Sequence, residues 1–128
     1  GITFGTGIGG GIVANDKMMY GANDSAGEIG HMIIDRGKDL EELTVKQMRK
    51  LKFSKKAAKE FEKNLAVGLA NIINVLDPEA IIIGGGVAEK IAKEFIISPK
   101  SRENVKILKG KLGENAGAIG AAALFYES

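Results

Sequence analysis

The 128-residue sequence has no cysteine and no tryptophan, only two prolines, and a single histidine. Without cysteine there is no disulfide, no thiolate metal site and no cysteine nucleophile. The same absence suits a reducing compartment, and a cytoplasmic location is the expectation. One histidine and no thiol cannot complete a zinc site from the usual soft ligands. Long apolar runs are also missing. The longest, residues 65–76, is interrupted by Gly68, Asn71 and Asn74 and is too short to span a bilayer. No signal-peptide pattern stands before the first strand pattern. Neither sign of charge dominates, with 18 basic against 16 acidic residues and a formal net charge of +2. That balance argues against nucleic acid or a membrane surface as a partner. The remaining composition, 45% hydrophobic and 27% charged, is that of an ordinary globular domain with one core.

What the chain does have is glycine, 18 residues of it, concentrated at 5–11, 84–86 and 113–120. The glycines have no three-residue period and sit beside Ile, Val and Ala runs, which excludes collagen and disorder. Clusters of this kind mark tight turns or a backbone that something approaches closely. The first cluster, Gly5-Thr6-Gly7-Ile8-Gly9-Gly10, satisfies the dinucleotide pattern G-x-G-x-x-G. That fingerprint needs a helix to open at its third glycine, and Gly11-Ile12-Val13 reads as strand instead. Glu28 lies near the expected acidic offset, but no crossover helix separates it from the loop. A Walker loop is excluded because no Gly-Lys-Ser/Thr follows. A β-hairpin with a glycine-rich tip remains, whose backbone N–H groups can form a nest for phosphate oxygens while Thr6 adds a hydroxyl. The plain alternative is a tight turn, for which two or three glycines would suffice.

The second cluster, Gly84-Gly85-Gly86, follows a wholly apolar run (80–83) of the kind a buried parallel strand uses. It precedes a helical pattern over 87–95. Ligands of open α/β sheets bind at the carboxyl ends of strands, whereas an ordinary strand-to-helix turn needs only one glycine. Two such loops in one small domain favour a nucleotide gripped from two sides.

Along the chain, residues 1–4, 11–14, 17–20 and 31–35 read as short strands, forming an antiparallel meander. The sequence opens in the middle of a strand pattern, as a piece of a longer protein would. Helical period then takes over at 40–51, and a long helix is predicted from Ser54. Its apolar face carries Ala58, Phe61, Leu65, Leu69, Ile72, Ile73 and Leu76, and Asp77-Pro78 ends it. After the strand at 80–83 and the helix at 87–95 come a strand at 105–108 and a small-residue helix at 116–126. The fold class is α/β with a mixed sheet.

Polar side chains of interest are few. His31 stands in Ala26-Gly27-Glu28-Ile29-Gly30-His31, between glycines that expose the backbone; a lone histidine is more often structural than functional. In an extended segment Glu28 and His31 would point to opposite faces, so a bend at Gly30 is needed to aim both at one ligand. Asn71 and Asn74, spaced i, i+3 on the long helix, are assigned to neighbouring backbone groups. The basic stretch 46–59 is assigned to a solvated helix face, and Gly117 and Gly120 to close packing of the last helix.

Taken together, four stretches resemble the ROK family of sugar kinases and repressors, within the actin-like ATPase superfamily. They are Gly5-Thr6-Gly7-Ile8-Gly9-Gly10-Gly11, Ala26-Gly27-Glu28-Ile29-Gly30-His31, Asp77-Pro78-Glu79-Ala80-Ile81-Ile82-Ile83-Gly84-Gly85-Gly86-Val87 and Ala116-Gly117-Ala118-Ile119-Gly120-Ala121-Ala122. The resemblance implies a ribonuclease H-like, actin-like ATPase domain, with antiparallel N-terminal strands in a mixed sheet and helices packed on it. It implies ATP with Mg2+, bound by Gly5, Thr6, Gly7, Ile8, Gly9 and Gly10 at the phosphates and by Gly84, Gly85 and Gly86 beside the adenosine. Glu28 and His31 match positions that contact sugar hydroxyls in family kinases, and Glu41 matches a third.

The family histidine also commonly ligates a structural zinc through a cysteine-rich motif that ends in Gly-Cys-x-Glu. Here Arg36-Gly37-Lys38-Asp39-Leu40-Glu41 stands in its place, so zinc is not expected; His31 would bind one only in a site completed elsewhere. The stretch between His31 and the long helix looks shortened. The family's general base lies in a preceding half that these 128 residues do not include, so no catalytic residue is assigned. The chain is thus expected to be one domain, 1–128, the C-terminal nucleotide-binding half of a glucokinase-like enzyme. A hexose is the expected partner and a homo-oligomer the expected assembly. The alternatives are the sugar-sensing domain of a ROK transcriptional repressor and a non-catalytic remnant domain.

Overall fold

The structure, a computed structural model, describes residues 1–46, 54–85 and 105–115, together with 119 and 122. Its first element is a hairpin of β1 (Ile2–Phe4) and β2 (Ile8–Gly10). The strands are antiparallel, with Ile2 opposite Gly10 and Phe4 opposite Ile8. The returning strand therefore starts at Ile8, before the expected position 11, and the tip shrinks to residues 5–7. Gly9 and Gly10 belong to a strand. Glycine is costly there unless another backbone comes close; a Cβ on Gly10 would overlap the carbonyl oxygen of Gly27.

Two further hairpins follow, β3 (Ile12–Ala14) with β4 (Lys17–Met19), and β5 (Ile33–Asp35) with β6 (Lys38–Asp39). Asn15 and Asp16 join the first pair at φ of 54° and 60°, the positive values a two-residue primed turn requires. Each pair forms its own two-stranded sheet. The predicted single meander is thus three separate hairpins, of which only the first joins the main sheet. His31 also falls outside the strand predicted for 31–35. It closes a 3₁₀ turn at Ile29–His31.

The long helix α1 spans Lys55–Leu76. Ser54 caps it by accepting the Ala57 N–H at 3.1 Å, which satisfies one of the unpaired amides of the first turn. Asp77 ends it in the left-handed region at φ 44°, and Pro78 cannot continue it. The buried face carries Ala57, Phe61, Leu65, Gly68, Leu69, Ile72 and Ile73. Against the prediction, Ala57 replaces Ala58 on that face and Leu76 is 40% exposed, because the last turn runs past the edge of the core.

Helix α1 packs on a four-stranded mixed sheet of order β2-β1-β7-β8, where β7 is Ala80–Gly84 and β8 is Lys106–Lys109. Strand β7 is parallel to both β1 and β8. Its Ile81 and Ile83 are buried while Ile82 is 48% exposed, so it alternates like a half-covered strand. The core joins Phe4, Ile8, Ile81 and Ile83 of the sheet to Phe61, Leu65, Leu69 and Ile73 of the helix. Phe4 and Phe61 meet edge to face, with centroids 6.3 Å apart. Burial of each such side chain stabilises the fold by about 1.5–3 kcal/mol.

Between β6 and α1 the chain makes a helical turn that widens into a π-type turn at Glu42–Lys46. Thr44, fully buried there, donates its hydroxyl to the Leu40 carbonyl at 2.5 Å. Asn64 of α1 reaches back to this segment and donates its side-chain amide to the Leu43 carbonyl at 3.0 Å. Of the helix predicted for 40–51, only the part up to Lys46 lies within the described residues. The helix predicted for 87–95, Gly86, Gly117 and Gly120 lie outside them, and of 116–126 only Ile119 and Ala122 are described, both helical.

Candidate nucleotide and sugar site

Strands β1 and β7 run parallel and side by side, with Thr3 opposite Gly84, so their carboxyl ends finish together. Each is followed by one of the two glycine loops. Gly85 adopts φ +88°, and a Cβ there would overlap the carbonyl oxygen of Phe4, the residue before the hairpin tip. Only glycine satisfies both conditions. The two loops that looked like separate motifs in the sequence are therefore packed backbone to backbone.

The tip itself is tight. The Gly5 N–H donates to the Gly7 carbonyl at 2.9 Å. Thr6 is exposed and nothing lies within 4 Å of a Cβ placed on Gly5. Among the described residues neither the Thr6 nor the Gly7 amide has a hydrogen-bond partner. Open space, two unpaired amides and a hydroxyl suit a polyphosphate, whose oxygens accept from such groups.

The second part of the site is the turn that carries Glu28 and His31. The bend needed to aim both at one ligand is present: the 3₁₀ turn at Ile29–His31 puts His31 Nε2 3.9 Å from Glu28 Oε2, both side chains 64% exposed. On its other side His31 Nδ1 lies 3.4 Å from Asp39 Oδ2. The other Asp39 oxygen accepts the Glu42 N–H at 2.6 Å. That backbone hydrogen bond, with His31 adding to it, lowers the Asp39 pKa.

Glu41 is drawn inward between the two parts. Its Oε2 accepts the Ile8 N–H at 2.8 Å, and its Oε1 lies 3.1 Å from Lys46 Nζ. The Ile8 N–H, then Lys46, lower its pKa. Its position follows from Leu40, whose buried side chain presses into the notch at Gly68 of α1. Of the sequence-predicted residues, the structure gathers Gly5, Thr6, Gly7, Ile8, Gly84 and Gly85 at one edge, and Glu28, His31 and Glu41 around the neighbouring turn. Gly9 and Gly10 lie beyond the tip, in strand β2, instead. Asp39 and Lys46 were not singled out from the sequence. Asp39 could have been, as the residue standing where the family's motif has cysteine.

A zinc ion does not fit this donor set. Among the described residues no three His, Cys, Asp or Glu side chains are grouped so as to hold a metal, and of the two carboxylates beside His31, Asp39 is also committed to the Glu42 N–H. No helix among them is long and apolar enough to cross a membrane.

A mixed sheet with a glycine hairpin and a second glycine turn at adjacent strand ends defines a domain of the actin-like ATPase class. The chain belongs to the ROK family, whose model matches residues 1–43 and 35–128. It is 29% identical to an N-acetyl-D-glucosamine kinase of Histophilus somni over an alignment covering 98% of this chain and 57% of that protein. It is 27% identical to a glucokinase of Halalkalibacterium halodurans, covering 96% and 54%. Among solved structures, it superposes on an inorganic polyphosphate/ATP-glucomannokinase from Arthrobacter sp. strain KM with a TM-score of 0.73. That pair is 28% identical, covering 98% of this chain and 45% of the other. A ROK family glucokinase from Streptomyces griseus, solved with glucose and AMPPNP, shares the fold with a TM-score of 0.72 at 24% identity, covering 96% of this chain and 58% of that one.

The chain spans about half the length of the curated relatives it matches. The glucokinase alignment runs over 180 positions, more than the 128 residues of this chain, so that relative has additional residues inside the matched region. The two family matches meet at 35–43, the stretch that looked shortened.

Proposed function

We propose that this chain is the nucleotide-binding half of an ATP-dependent hexose kinase. The observation that carries the proposal is the contact of Gly85 with Phe4, which sets the Gly5–Thr6–Gly7 tip and the Gly84–Gly85 turn side by side at two parallel strand ends. The tip would meet the β- and γ-phosphates through the Thr6 and Gly7 amides and the Thr6 hydroxyl. Gly84, Gly85 and Gly86 would lie beside the adenosine. Magnesium would arrive with the nucleotide and bridge its phosphates. Glu28 and His31, side by side on an exposed turn, would accept from and donate to sugar hydroxyls, and Glu41 stands next to them. The sugar kinases among its relatives support the hexose as substrate class, and a cytoplasmic homo-oligomer remains the expected setting.

Phosphoryl transfer also needs a positioned nucleophile and a base for its proton, which this chain is not expected to supply. The isolated 128 residues should therefore bind MgATP weakly and phosphorylate no hexose. Thermal shift with AMPPNP tests the reading, since a ligand that binds the native state must raise its stability. No shift at millimolar nucleotide would refute it, and Thr6→Val should weaken AMPPNP binding more than hexose binding.

A further inference from the structure

Glu41 matches a position expected to contact sugar, yet both its carboxylate oxygens are committed to protein partners. Oε2 accepts from the Ile8 amide, the first residue after the hairpin tip, and Oε1 faces Lys46. The side chain is only 15% exposed. It also fills the space between the two halves of the site. A Cβ on Gly7 would overlap its carboxylate, and a Cβ on Gly30, in the turn between Glu28 and His31, would lie 3.5 Å from the same Oε2. Gly30 in turn abuts the Ile8 carbonyl oxygen, 2.8 Å from where its Cβ would be. Three segments therefore meet on one carboxylate: the tip, the Glu28–His31 turn, and the π-type turn that carries Lys46.

We infer that Glu41 is a positioning residue for the phosphate-binding hairpin: it fixes the Ile8 amide and so sets the shape of the Gly5–Thr6–Gly7 tip, and with it nucleotide affinity. The inference rests on the nucleotide-binding role proposed above. A carboxylate accepting a backbone N–H makes a strong, oriented hydrogen bond. In the antiparallel ladder Phe4 and Ile8 form a non-hydrogen-bonded pair, so the Ile8 N–H points outward from the edge strand β2, and its acceptor is supplied from 33 residues away. Because the same side chain borders Gly30, a shift of the Glu28–His31 turn on binding sugar would be felt at the tip. Glu41 thus touches both the hairpin tip and the Glu28–His31 turn.

The test uses the full chain with AMPPNP·Mg2+ and, separately, glucose and N-acetylglucosamine as probes, alongside amide hydrogen exchange at Ile8. Glu41→Ala is expected to raise the AMPPNP Kd, measured without hexose, five- to twentyfold and to deprotect the Ile8 amide. Glu41→Gln keeps an acceptor for that amide and is expected to restore AMPPNP affinity to within threefold of wild type. Should Glu41→Ala fail to fold, Gly7→Ala, whose Cβ displaces the carboxylate, is expected to reproduce the loss of Ile8 protection. A tenfold loss of hexose affinity with nucleotide binding unchanged would overturn the inference and make Glu41 a sugar ligand. An Ile8 amide unprotected in the wild type would overturn it too. Failure of the wild type to bind AMPPNP would refute the nucleotide reading itself, and Ile8 exchange would still report whether Glu41 holds the tip.

Discussion

The side chain of Leu40 is seated in the notch that Gly68 leaves in helix α1. A Cβ on Gly68 would lie 2.8 Å from both Leu40 terminal methyls, and Leu40 is 1% exposed. Gly68→Ala pits two effects against each other. Replacing glycine inside a helix gains about 1 kcal/mol, while overpacking a filled core costs about 1–3 kcal/mol. Overpacking should win, giving a net loss of about 1 kcal/mol by chemical denaturation. Because Leu40 precedes Glu41, the same variant should also weaken AMPPNP binding.

Gly85 and Gly5 should respond in opposite ways to alanine. Gly85→Ala combines a left-handed φ with overlap on the Phe4 carbonyl, costing about 1–2 kcal/mol for the backbone conformation alone and more for the overlap. Gly5 has open space around it. Gly5→Ala should leave the melting temperature within about 2 °C of wild type, as a surface change of under about 0.5 kcal/mol does, yet reduce AMPPNP affinity by intruding on the phosphates. Thermal melts and calorimetric titration separate the two.

The paired carboxylates predict an acid-sensitive site. Asp39 and Glu41 both have pKa values lowered in the folded protein, chiefly by the Glu42 and Ile8 amides respectively. A group with a depressed folded pKa contributes stability that is complete above its unfolded pKa and is lost as pH falls through the folded one. Stability should therefore hold at neutral pH and decline below the ordinary carboxylate range. The double variant Asp39→Asn, Glu41→Gln should show a shallower decline in melting temperature across that acidic window.

Metal should not contribute to stability. His31 pairs with Asp39 and Glu28, and among the described residues it belongs to no group of three side chains that could hold a metal. Prolonged treatment with EDTA or a strong zinc chelator should leave the melting curve unchanged, and elemental analysis of protein purified without chelator should find no stoichiometric zinc.

Much of this arrangement was legible from residue order. The apolar spacing of α1, its start at Ser54 and its stop at Asp77-Pro78 are local signals, and so is the alternation of hydrophobic and glycine-rich runs around β1 and β7. The register of the first hairpin was not legible. Gly9 and Gly10 look like loop, and only the approach of Gly27 from 17 residues further on explains why they are strand. Likewise the inward turn of Glu41 depends on Gly7, Ile8, Gly30 and Gly68 converging from three distant stretches. No periodicity records that. The bend joining Glu28 to His31 was foreseeable as a requirement, though not as a 3₁₀ turn.

Strand β1 consists of three residues, and its parallel neighbour pairs Ile2 with Ile83. Contacts between residues so far apart in sequence form late, because the loop-closure entropy must be met before they stabilise anything. The hairpin tip can fold early as a local unit, but Gly85 reaches Phe4 only when nearly the whole described chain has closed behind it. The site is therefore among the last features expected to assemble, and a chain still emerging from the ribosome would carry both glycine loops without a site between them. Nucleotide would then act on folding as a latch for the finished sheet rather than as a nucleus, slowing unfolding while leaving the refolding rate nearly unchanged.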